Sequence, residues 1–362
     1  MDNKLEQARK IINEVDSKMA ELFIKRMRAA EMVYEHKKEF GLPILDQKRE
    51  DAVIEKNSAL VEDEMLKGYY IDYLKHLMSI SRAYQGRMQN GLKVAYSGVE
   101  GAFAHIAAGR IFPESNRIAY NDFKAAYNSV VNGESDVAVV PIENSYAGEV
   151  GQTLDLIFSG SLHINGIYEL EIRQNLLALP NATIEDIKTV ISHPQALSQC
   201  HDYTKTHGFK TQEANNTALA AKFVANSNDK SYAAIASLET ANLYGLKVIE
   251  SDINKSGENT TRFAVLSKVH ANSPSLSSTV LMLTVKHEAG SLAKAISIIG
   301  KYGYNMTALR SRPMKKNSWQ YYFYIEIDGT VDSANGQNML EELTNVCDIL
   351  KVAGTFAPHT EL

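Results

Sequence analysis

The chain has 362 residues, of which 44% are hydrophobic and 22% are charged, with a formal net charge of −5. This length predicts two or three domains, and the slightly negative charge excludes the broadly basic character of proteins that bind nucleic acid or anionic membranes. Cys200 and Cys347 lie too far apart to suggest a disulfide framework, and the first residues lack the apolar stretch of a signal peptide. The longest apolar run is far shorter than a membrane span. We therefore expect a cytoplasmic protein in which local Arg and Lys clusters bind any anion.

The first section is predicted to be almost wholly helical. Read in sevens, its opening helix, from about Leu5 to Lys38, has two apolar rows. Arg26 interrupts one row and His36 ends the other. A guanidinium in an apolar seam is costly unless an anion meets it, so Arg26 marks a candidate anion site.

The spacing of the basic residues on this helix suggests how they divide between pockets. Arg26 and Lys37 differ by about 20° in direction and roughly 16 Å along a straight helix, so their long side chains can converge on one small anion. Arg9 lies about 26 Å and ~100° away from Arg26. If Arg9 contributes to such a pocket, it does so in a partner chain, and this predicts a helical dimer.

The rest of this section adds polar groups without a metal-ligand set or an activated nucleophile. After a break at 41–43, "DQKRE" places three charged side chains on one helix face, and a third helix adds a hydroxyl and an amide. Residues 86–92 are the expected linker. Such a pocket suits a small dianion whose reaction needs positioning and charge stabilisation. The added residues are Asp46, Arg49, Glu50, Ser81 and Gln85.

These residues, in this order and spacing, resemble the all-helical chorismate mutase domain over nearly the whole section. The resemblance implies rearrangement of chorismate to prephenate without a covalent intermediate. It implies that Arg26, together with Arg9 of the partner subunit, binds the two substrate carboxylates. Lys37 and Gln85 would hydrogen-bond the ether oxygen, where negative charge grows in the transition state.

The remaining members of the set take supporting roles by the same resemblance. Glu50, with the Asp46 segment, would hold the ring hydroxyl, and Arg49 and Ser81 would support the carboxylates. The plainer alternative is that each charge is a solvated surface residue and that "DQKRE" is only a helix start.

From residue 92 to about Lys268, short apolar strands alternate with helical stretches, which predicts a mostly parallel α/β sheet. Three polar loops follow predicted strands, where open α/β sheets bind ligands, and a fourth loop precedes the last strand. Taken singly, each loop fits a turn, a helix cap or a structural ion pair. The nearby His and Cys residues match no standard zinc spacing. The loops are "SGVEGAF" (97–103), "PIENSYAGEVGQTLDL" (141–156), "SHPQALSQC" (192–200) and "SGENTTRF" (256–263).

Taken jointly, the last three loops resemble the prephenate dehydratase signatures in order and spacing. The resemblance implies two α/β lobes, like those of a periplasmic binding protein, with the active site in the cleft between them. Thr261 would assist departure of the substrate hydroxyl, and Arg262 would pair with a carboxylate. Ala102 and Asn216 stand where the family usually has hydroxyl residues. The other implied site residues are Glu143, Asn144, Ser145, Ser192, Gln195, Gln199, Thr217 and Phe263.

The last section predicts the order βαββαβ, the ferredoxin-like α+β motif, and resembles the ACT regulatory domain attached to these dehydratases. In that family, paired domains bind phenylalanine and inhibit the enzyme. Arg310 replaces the usual acidic residue and Ala289 a proline. The alternative is an ACT fold used only for dimerisation. The implied phenylalanine-binding residues are Gly290, Ser291, Leu292, Asn305, Ser311, Arg312 and Pro313.

Together, the three resemblances predict a bifunctional enzyme of phenylalanine biosynthesis that converts chorismate to prephenate and prephenate to phenylpyruvate. No cofactor and no metal is expected, since both reactions are redox-neutral and no dinucleotide fingerprint is present. Phenylalanine is the expected effector, and a homodimer or dimer of dimers the expected assembly. The rivals are a non-catalytic sensor of aromatic metabolites and a dehydratase with an inert mutase domain. The predicted domains are 1–88, 92–268 and 278–362.

Overall fold

The structure is a computed structural model, and it divides the chain into two compact units, Met1–Leu92 and Lys93–Leu362. None of the helices in the described part of the chain has the length and apolar character that crossing a membrane requires. The described residues are 2–254, 259–270, 275–314, 320–357 and 360–362. Part of the predicted loop 256–263 therefore lies outside them.

The first unit is helical, as its periodicity predicts. The side chain of Asp46 caps the second helix, and that of Asp63 caps the third. The third helix continues to Asn90, so most of the expected linker at 86–92 is helical. The helices are α1 (Asp2–Glu39), α2 (Gln47–Ser58) and α3 (Glu64–Asn90).

Among the side chains of α1 that the structure describes, only those in its C-terminal half are buried within the chain. Ala30 and Tyr34 on α1, with Leu74 and Met78 on α3, are at most 8% exposed. The apolar rows of the N-terminal half remain open to solvent. Their exposed members are Leu5, Ile12, Val15, Met19 and Leu22, at 42% exposure or more.

The second unit begins with an α/β lobe built on one mixed sheet. Its strands lie in the order β16-β5-β11-β3-β1-β2, with β4 paired to β3. β1 runs parallel to β2 and β3, whereas β11 is antiparallel to both β3 and β5. The strands are β1 (Lys93–Ser97), β2 (Asn116–Tyr120), β3 (Val137–Asn144), β4 (Gly148–Glu149), β5 (His163–Glu171), β11 (Thr260–Ser267) and β16 (Thr360–Glu361), and the helices are α4 (Phe103–Ile111), α5 (Phe123–Asn132) and α6 (Gly151–Ser159).

A second α/β lobe is inserted between β5 and β11 and has its own five-stranded sheet, in the order β10-β6-β9-β7-β8. Both sheets mix parallel and antiparallel pairs, so the expectation of a mostly parallel sheet is wrong: the chain returns from this lobe along β11, against the direction of β3. The elements are β6 (Asn175–Ala178), β7 (Thr189–Ser192), α7 (Pro194–Gln199), α8 (His201–Thr206), β8 (Lys210–Glu213), α9 (Thr217–Ser227), β9 (Tyr232–Ala236), α10 (Leu238–Tyr244) and β10 (Lys247–Glu250).

The last section has the predicted βαββαβ order, with a sheet in the order β13-β14-β12-β15. Because side chains alternate along a strand, β12 sends Leu281 and Leu283 toward the helices and Val280 and Met282 into a core shared with the first lobe. At Gly354 a Cβ would come within 2.0 Å of the Ile164 carbonyl oxygen, so the two layers touch backbone to backbone. The elements are β12 (Ser278–Val285), α11 (Ser291–Lys301), β13 (Met306–Pro313), β14 (Tyr321–Asp328), α12 (Ala334–Thr344) and β15 (Cys347–Phe356).

Candidate functional site

The loops that the sequence singles out meet in a cleft between the two α/β lobes. A cavity of about 240 Å³ lies there, and most of the side chains around it are amides, hydroxyls and apolar groups. Its lining residues are Ala102, Phe103, Asn144, Ile172, Gln174, His193, Gln195, Ala196, Gln199, Asn215, Asn216, Thr217 and Thr261.

Thr261 is the hydroxyl that the strands place most firmly in this cavity. β11 and β3 pair Thr261 directly with Asn144, and the Asn144 Nδ2 donates to Thr261 Oγ1 over 2.9 Å. The Asn144 amide cannot flip without loss, because its Oδ1 accepts from the backbone N–H groups of Tyr146 and Ala147. With a donor fixed at Oγ1, the O–H proton of Thr261 points away from Asn144.

A network of amides joins the two lobes around this pair. Gln195 of the second lobe donates to Asn144 Oδ1 over 3.1 Å, and Asn259 donates to Gln199 over 3.0 Å. Asn144 also donates to Asn259 over 2.8 Å. Each side chain has its donor and acceptor ends set by the next, so the wall of the cavity is preorganised.

Three helices, α4, α7 and α9, begin at the cavity, since their N-terminal residues are among its lining. α9 is capped by Asn216, whose side chain accepts from the Leu219 N–H. α4 starts at Ala102, which has no side chain to cap it. A positively polarised helix end favours a carboxylate. Among the described lining residues of this cavity and of the adjoining 630 Å³ cavity there is no Lys and no Arg.

The two departures from the family pattern sit at these helix starts. Asn at position 216 caps α9 as well as a hydroxyl residue would, because Asn and Ser are comparable N-caps. Ala102 lines both cavities and removes a hydroxyl from the start of α4.

Three other predicted residues lie beside the cavity. Phe263 lines the adjoining cavity, and Ser145 lines a smaller one of about 170 Å³ on the far side of Gln199. Ser192 is fully buried, and its hydroxyl donates to the Ile235 carbonyl over 2.6 Å. The structure thus gives Ser192 the task of joining β7 to β9 rather than lining the pocket.

Arg262 and Glu143 lie on the other face of the sheet, and this corrects the expected carboxylate contact. They are paired across β11 and β3, one position from Thr261 and Asn144, and strand alternation turns them away from the cleft. Arg262 contacts both oxygens of Glu326 at 2.9 and 3.0 Å. Burial opposes the charged form, but Glu326 and Glu143 outweigh it and raise the pKa of Arg262. A guanidinium so occupied does not fit the expected role toward substrate.

Several lining residues were missed from the sequence. Gln174 and Asn215 lie in no motif, and the fold alone brings them to the cleft. His193 lies in the loop 192–200 but is absent from the predicted site set, because a structural role was the favoured interpretation. Its Nδ1 accepts from the Gln195 N–H at the start of α7, and burial lowers its pKa, which favours a neutral ring beside the cavity.

In the helical unit, Arg26 meets α3 where the interrupted apolar row predicts a polar partner. Its guanidinium donates to Ser81 Oγ and to the Leu77 carbonyl. Burial lowers the pKa of Arg26, while Tyr73 and Glu50 act to raise it. Lys37 instead donates to the Ile44 carbonyl. Within one chain, Arg26 and Lys37 therefore have separate partners.

The other predicted residues of the helical unit differ in burial and in their partners. Gln85 is buried on α3, and its Oε1 has no hydrogen-bond partner in the described part of the chain. Glu50 pairs with Arg82, a residue that the sequence did not single out. Asp46 caps α2 by accepting from the Arg49 N–H, and the side chains of Asp46, Arg49 and Arg9 are exposed.

The βαββαβ section has a cavity of about 300 Å³ beside the start of α11, and of the predicted phenylalanine-binding residues Leu292 lines it. Gly290 begins α11 with a φ of 84°, where a residue with a side chain would be strained. The cavity is lined by Val285, Lys286, His287, Glu288, Ala289, Leu292, Gln320, Tyr321 and Phe323.

Ser291, the first residue of α11, does not line this cavity. Neither do Asn305, Ser311, Arg312 and Pro313, which lie on or near β13, the edge strand of the sheet. Ser311 and Pro313 are exposed, and Asn305, also exposed, donates to Asp328. Arg312 faces the first lobe, where it contacts Asp155 at 3.3 Å and Glu149 at 3.4 Å. One chain therefore holds the two halves of the predicted set apart.

Comparison with known families assigns both parts of the chain. The family model described as prephenate dehydratase matches residues 94–271, and the one described as chorismate mutase type II matches residues 8–86.

The chain is also similar to known proteins over most or all of its length. It is 30% identical to the bifunctional chorismate mutase/prephenate dehydratase of Aquifex aeolicus (strain VF5), covering 98% of both chains. It is 32% identical to arogenate dehydratase/prephenate dehydratase 2 of Arabidopsis thaliana, over 75% of this chain and 74% of that protein. The structure of prephenate dehydratase from Arthrobacter aurescens in complex with L-Phe covers 74% of this chain and 90% of that one, with a TM-score of 0.68 and 26% identity.

Proposed function

Because the chain belongs to the family of bifunctional chorismate mutase/prephenate dehydratases, we propose that its helical unit and its inter-lobe cleft carry one activity each. The chain is an isomerase that rearranges chorismate to prephenate and a carbon–oxygen lyase that converts prephenate to phenylpyruvate. The single observation that supports the division is the position of each family match on a separate structural unit.

In the cleft, Thr261 assists departure of the ring hydroxyl of prephenate. Loss of that hydroxyl and of CO2 leaves an aromatic ring, so the enzyme mainly stabilises the leaving oxygen and holds the retained carboxylate. Asn144 donates to Thr261 Oγ1, and the Thr261 proton is thereby directed at the leaving oxygen. A threonine is a weak acid in water, and its role depends on a closed, preorganised cleft. The ends of α4 and α9, not Arg262, receive the carboxylate.

In the helical unit, Arg26 binds a carboxylate of chorismate and Ser81 orients the guanidinium. Gln85 presents its amide to the ether oxygen, which fits a buried amide whose Oε1 has no partner within the described residues. Lys37 leaves the Ile44 carbonyl to join Gln85 when substrate is bound. Glu50, held by Arg82, takes the ring hydroxyl. With no covalent intermediate, catalysis comes from donors aimed at the developing charge.

A second copy of the chain covers the exposed apolar rows of α1 and supplies Arg9. Arg9 is exposed and too far from Arg26 along α1 to share one pocket in one chain. Five large apolar side chains of the rows are at least 42% exposed, which favours a helical partner.

Phenylalanine binds at the βαββαβ section and inhibits the dehydratase. The cavity beside α11 combines Lys286 and Glu288 with the rings of Tyr321 and Phe323, which suits an aromatic zwitterion. The Arthrobacter relative was solved with L-Phe. The exposed residues of β13 complete the site from a second copy. Adding L-phenylalanine should slow phenylpyruvate formation from prephenate, with D-phenylalanine as the control; equal rates with both would contradict this role.

One pair of variants tests the division of labour. Purified chain is given chorismate or prephenate, and phenylpyruvate is followed. Arg26→Ala should abolish conversion of chorismate while conversion of prephenate persists, and Thr261→Val should do the reverse, so that prephenate accumulates from chorismate. Loss of both activities from either folded variant would contradict the assignment. No phenylpyruvate from either substrate with the unmodified chain would favour the sensor.

A second dehydratase substrate, arogenate, is favoured by one feature of the cleft. The described lining of its two cavities has no cationic side chain but includes Asp122. Arogenate carries an ammonium where prephenate has a keto group. The carboxylate of Asp122 can pair with that ammonium. The Arabidopsis relative is named for both substrates. Asp122 also caps α5, and Asn preserves a cap, so Asp122→Asn removes only the charge. This change should lower kcat/KM for arogenate more than for prephenate; an equal effect on both would remove the proposal.

A further inference from the structure

Charged side chains from two sections of the chain meet behind the cleft. Arg262 on β11 and Arg310 on β13 both contact Glu143 on β3, Arg310 through both carboxylate oxygens at 2.6 Å. Arg262 also holds Glu326 of β14, which is 4% exposed. All four side chains are at most a quarter exposed, so solvent screens these contacts weakly.

Two members of this cluster are the sequence neighbours of residues assigned to the dehydratase site. Glu143 immediately precedes Asn144, and Arg262 immediately follows Thr261. The two pairs lie side by side in the register of β3 and β11 but on opposite faces. A rotation of β3 that relaxes Glu143 therefore also turns Asn144, whose Nδ2 meets Thr261 Oγ1.

Arg310 is the member of the cluster that departs from the ACT resemblance. By that resemblance, Arg310 reverses the charge expected beside the effector site. The structure gives it another partner, because Arg310 reaches Glu143 and lies 3.8 Å from Glu149 and 5.4 Å from the ring centre of Tyr324. An acidic residue at this position would face the carboxylates of Glu143 and Glu149.

Arg262 divides its guanidinium between two carboxylates. It contacts Glu326 at 2.9 and 3.0 Å and Glu143 at 3.2 Å. The Tyr324 hydroxyl donates to Glu326 as well, which keeps Glu326 in place. Glu143 therefore depends on Arg310 for its shortest contacts.

We propose that Arg310 is a positioning residue for the dehydratase: by holding Glu143 from the βαββαβ sheet, it fixes β3 so that Asn144 orients Thr261. Movement of β13 is thereby transmitted to the cleft. The proposal rests on the assignment of Asn144 and Thr261 to the dehydratase site.

The test compares Arg310→Gln with Arg310→Lys in the full chain. Arg310→Gln should lower kcat for prephenate about tenfold with little change in KM, because a misaligned reacting group costs rate more than binding. Arg310→Lys keeps the charge and should recover part of that loss. Arg310→Glu, the family-type charge, should cost more than Arg310→Gln, since it adds repulsion. Mutase activity of the same chain reports on the helical unit and should not change.

The matched control is Lys351→Gln. Lys351 on β15 also bridges the two layers, but it donates to the carbonyls of Ile157 and Gly160, which belong to neither β3 nor β11. Its loss should lower the thermal midpoint without lowering kcat. Wild-type kcat in folded Arg310→Gln, or equal kcat losses in Arg310→Gln and Lys351→Gln, would overturn the proposal. Thr261→Val tests the premise that Asn144 and Thr261 form the dehydratase site. If that variant keeps its dehydratase activity, the site assignment itself fails.

Discussion

At the scale of single residues, the role proposed for Thr261 in the dehydratase depends on how the neighbouring Asn144 orients its hydroxyl. Among the residues that the structure describes, Thr261 has no ionised partner in the cleft, and the Asn144 amide donates to its Oγ1 over 2.9 Å. That amide is held in one orientation by two backbone donors and by Gln195. The proposed mechanism therefore relies on the orientation of the Thr261 hydroxyl.

Replacing Thr261 distinguishes orientation from simple packing. Thr261→Val keeps the shape and removes the hydroxyl, and it should lower kcat for prephenate by roughly 10²–10⁴-fold, the usual range for a proton donor. Thr261→Ser keeps the hydroxyl and should retain much more activity. Steady-state rates on prephenate decide the matter, and equal rates for the Val and Ser variants would contradict the role of the hydroxyl.

The charge of Glu143 gives a pH-dependent prediction. Burial opposes its ionisation, but Arg310 and Arg262 outweigh it and hold the pKa of Glu143 below that of a free glutamate. The resulting stabilisation is complete above the free pKa and is lost as the pH falls through the lowered one. Arg310→Gln removes part of it, so this variant should be less stable than wild type at neutral pH and nearly equal to it in acid.

The measurement is the urea midpoint of the transition that abolishes dehydratase activity, from about pH 7 to about pH 3. If the urea midpoints of wild type and Arg310→Gln differ by the same amount over this whole range, the charge of Arg310 does not stabilise the ionised form of Glu143.

At the scale of secondary structure, the central strands of the second unit make contacts on both faces. β3 and β11 present Asn144 and Thr261 to the cleft and Glu143 and Arg262 to the βαββαβ sheet. The helix starts are less uniform, because α5 and α9 have side-chain caps and α4 has none. The uncapped start of α4 leaves its N–H groups available in the cleft.

Capping α4 should therefore stabilise the protein. Ala102→Ser should raise the free energy of unfolding by about 0.5–2 kcal/mol, the usual contribution of an N-cap. Asp122→Ala removes the cap of α5 and should lower the free energy of unfolding by a similar amount. Thermal unfolding of both variants is the measurement, and a destabilised Ala102→Ser would show that the start of α4 has no room for a hydroxyl.

At the scale of the whole molecule, one copy of the helical unit leaves large apolar side chains exposed. The N-terminal half of α1 leaves its apolar rows exposed, and Arg9 lies on this uncovered part. Burying such rows against a second copy would remove several large side chains from water, at roughly 25 cal/mol per Å² of apolar area.

Mixing inactive chains tests whether sites are shared between copies. Arg9→Ala and Arg26→Ala should each abolish mutase activity. In a mixed dimer one of the two sites receives both wild-type residues, so co-refolded variants should recover activity, up to about a quarter of the wild-type level for random pairing. Absence of recovery in demonstrated heterodimers would place Arg9 outside the partner's site.

The sequence alone determined what depends on local pattern and on motif. Hydrophobic periodicity and turn residues predict α1 and every element of the βαββαβ section, because these signals lie within one segment. The uncommon tripeptides of the dehydratase loops indicate the family and predict Asn144 and Thr261 as site residues.

Only the tertiary structure decided which face each residue occupies and what it meets there. Adjacent residues on a strand point to opposite sides, so the motif that includes Thr261 carried Arg262 into the predicted site although it lies behind the sheet. Ser192 shares a motif with Gln195 but is buried against β9. The sequence identified Arg310 as an irregularity beside an effector site, and its partner, Glu143, lies 167 positions away in the chain and is reached only when the two layers stack.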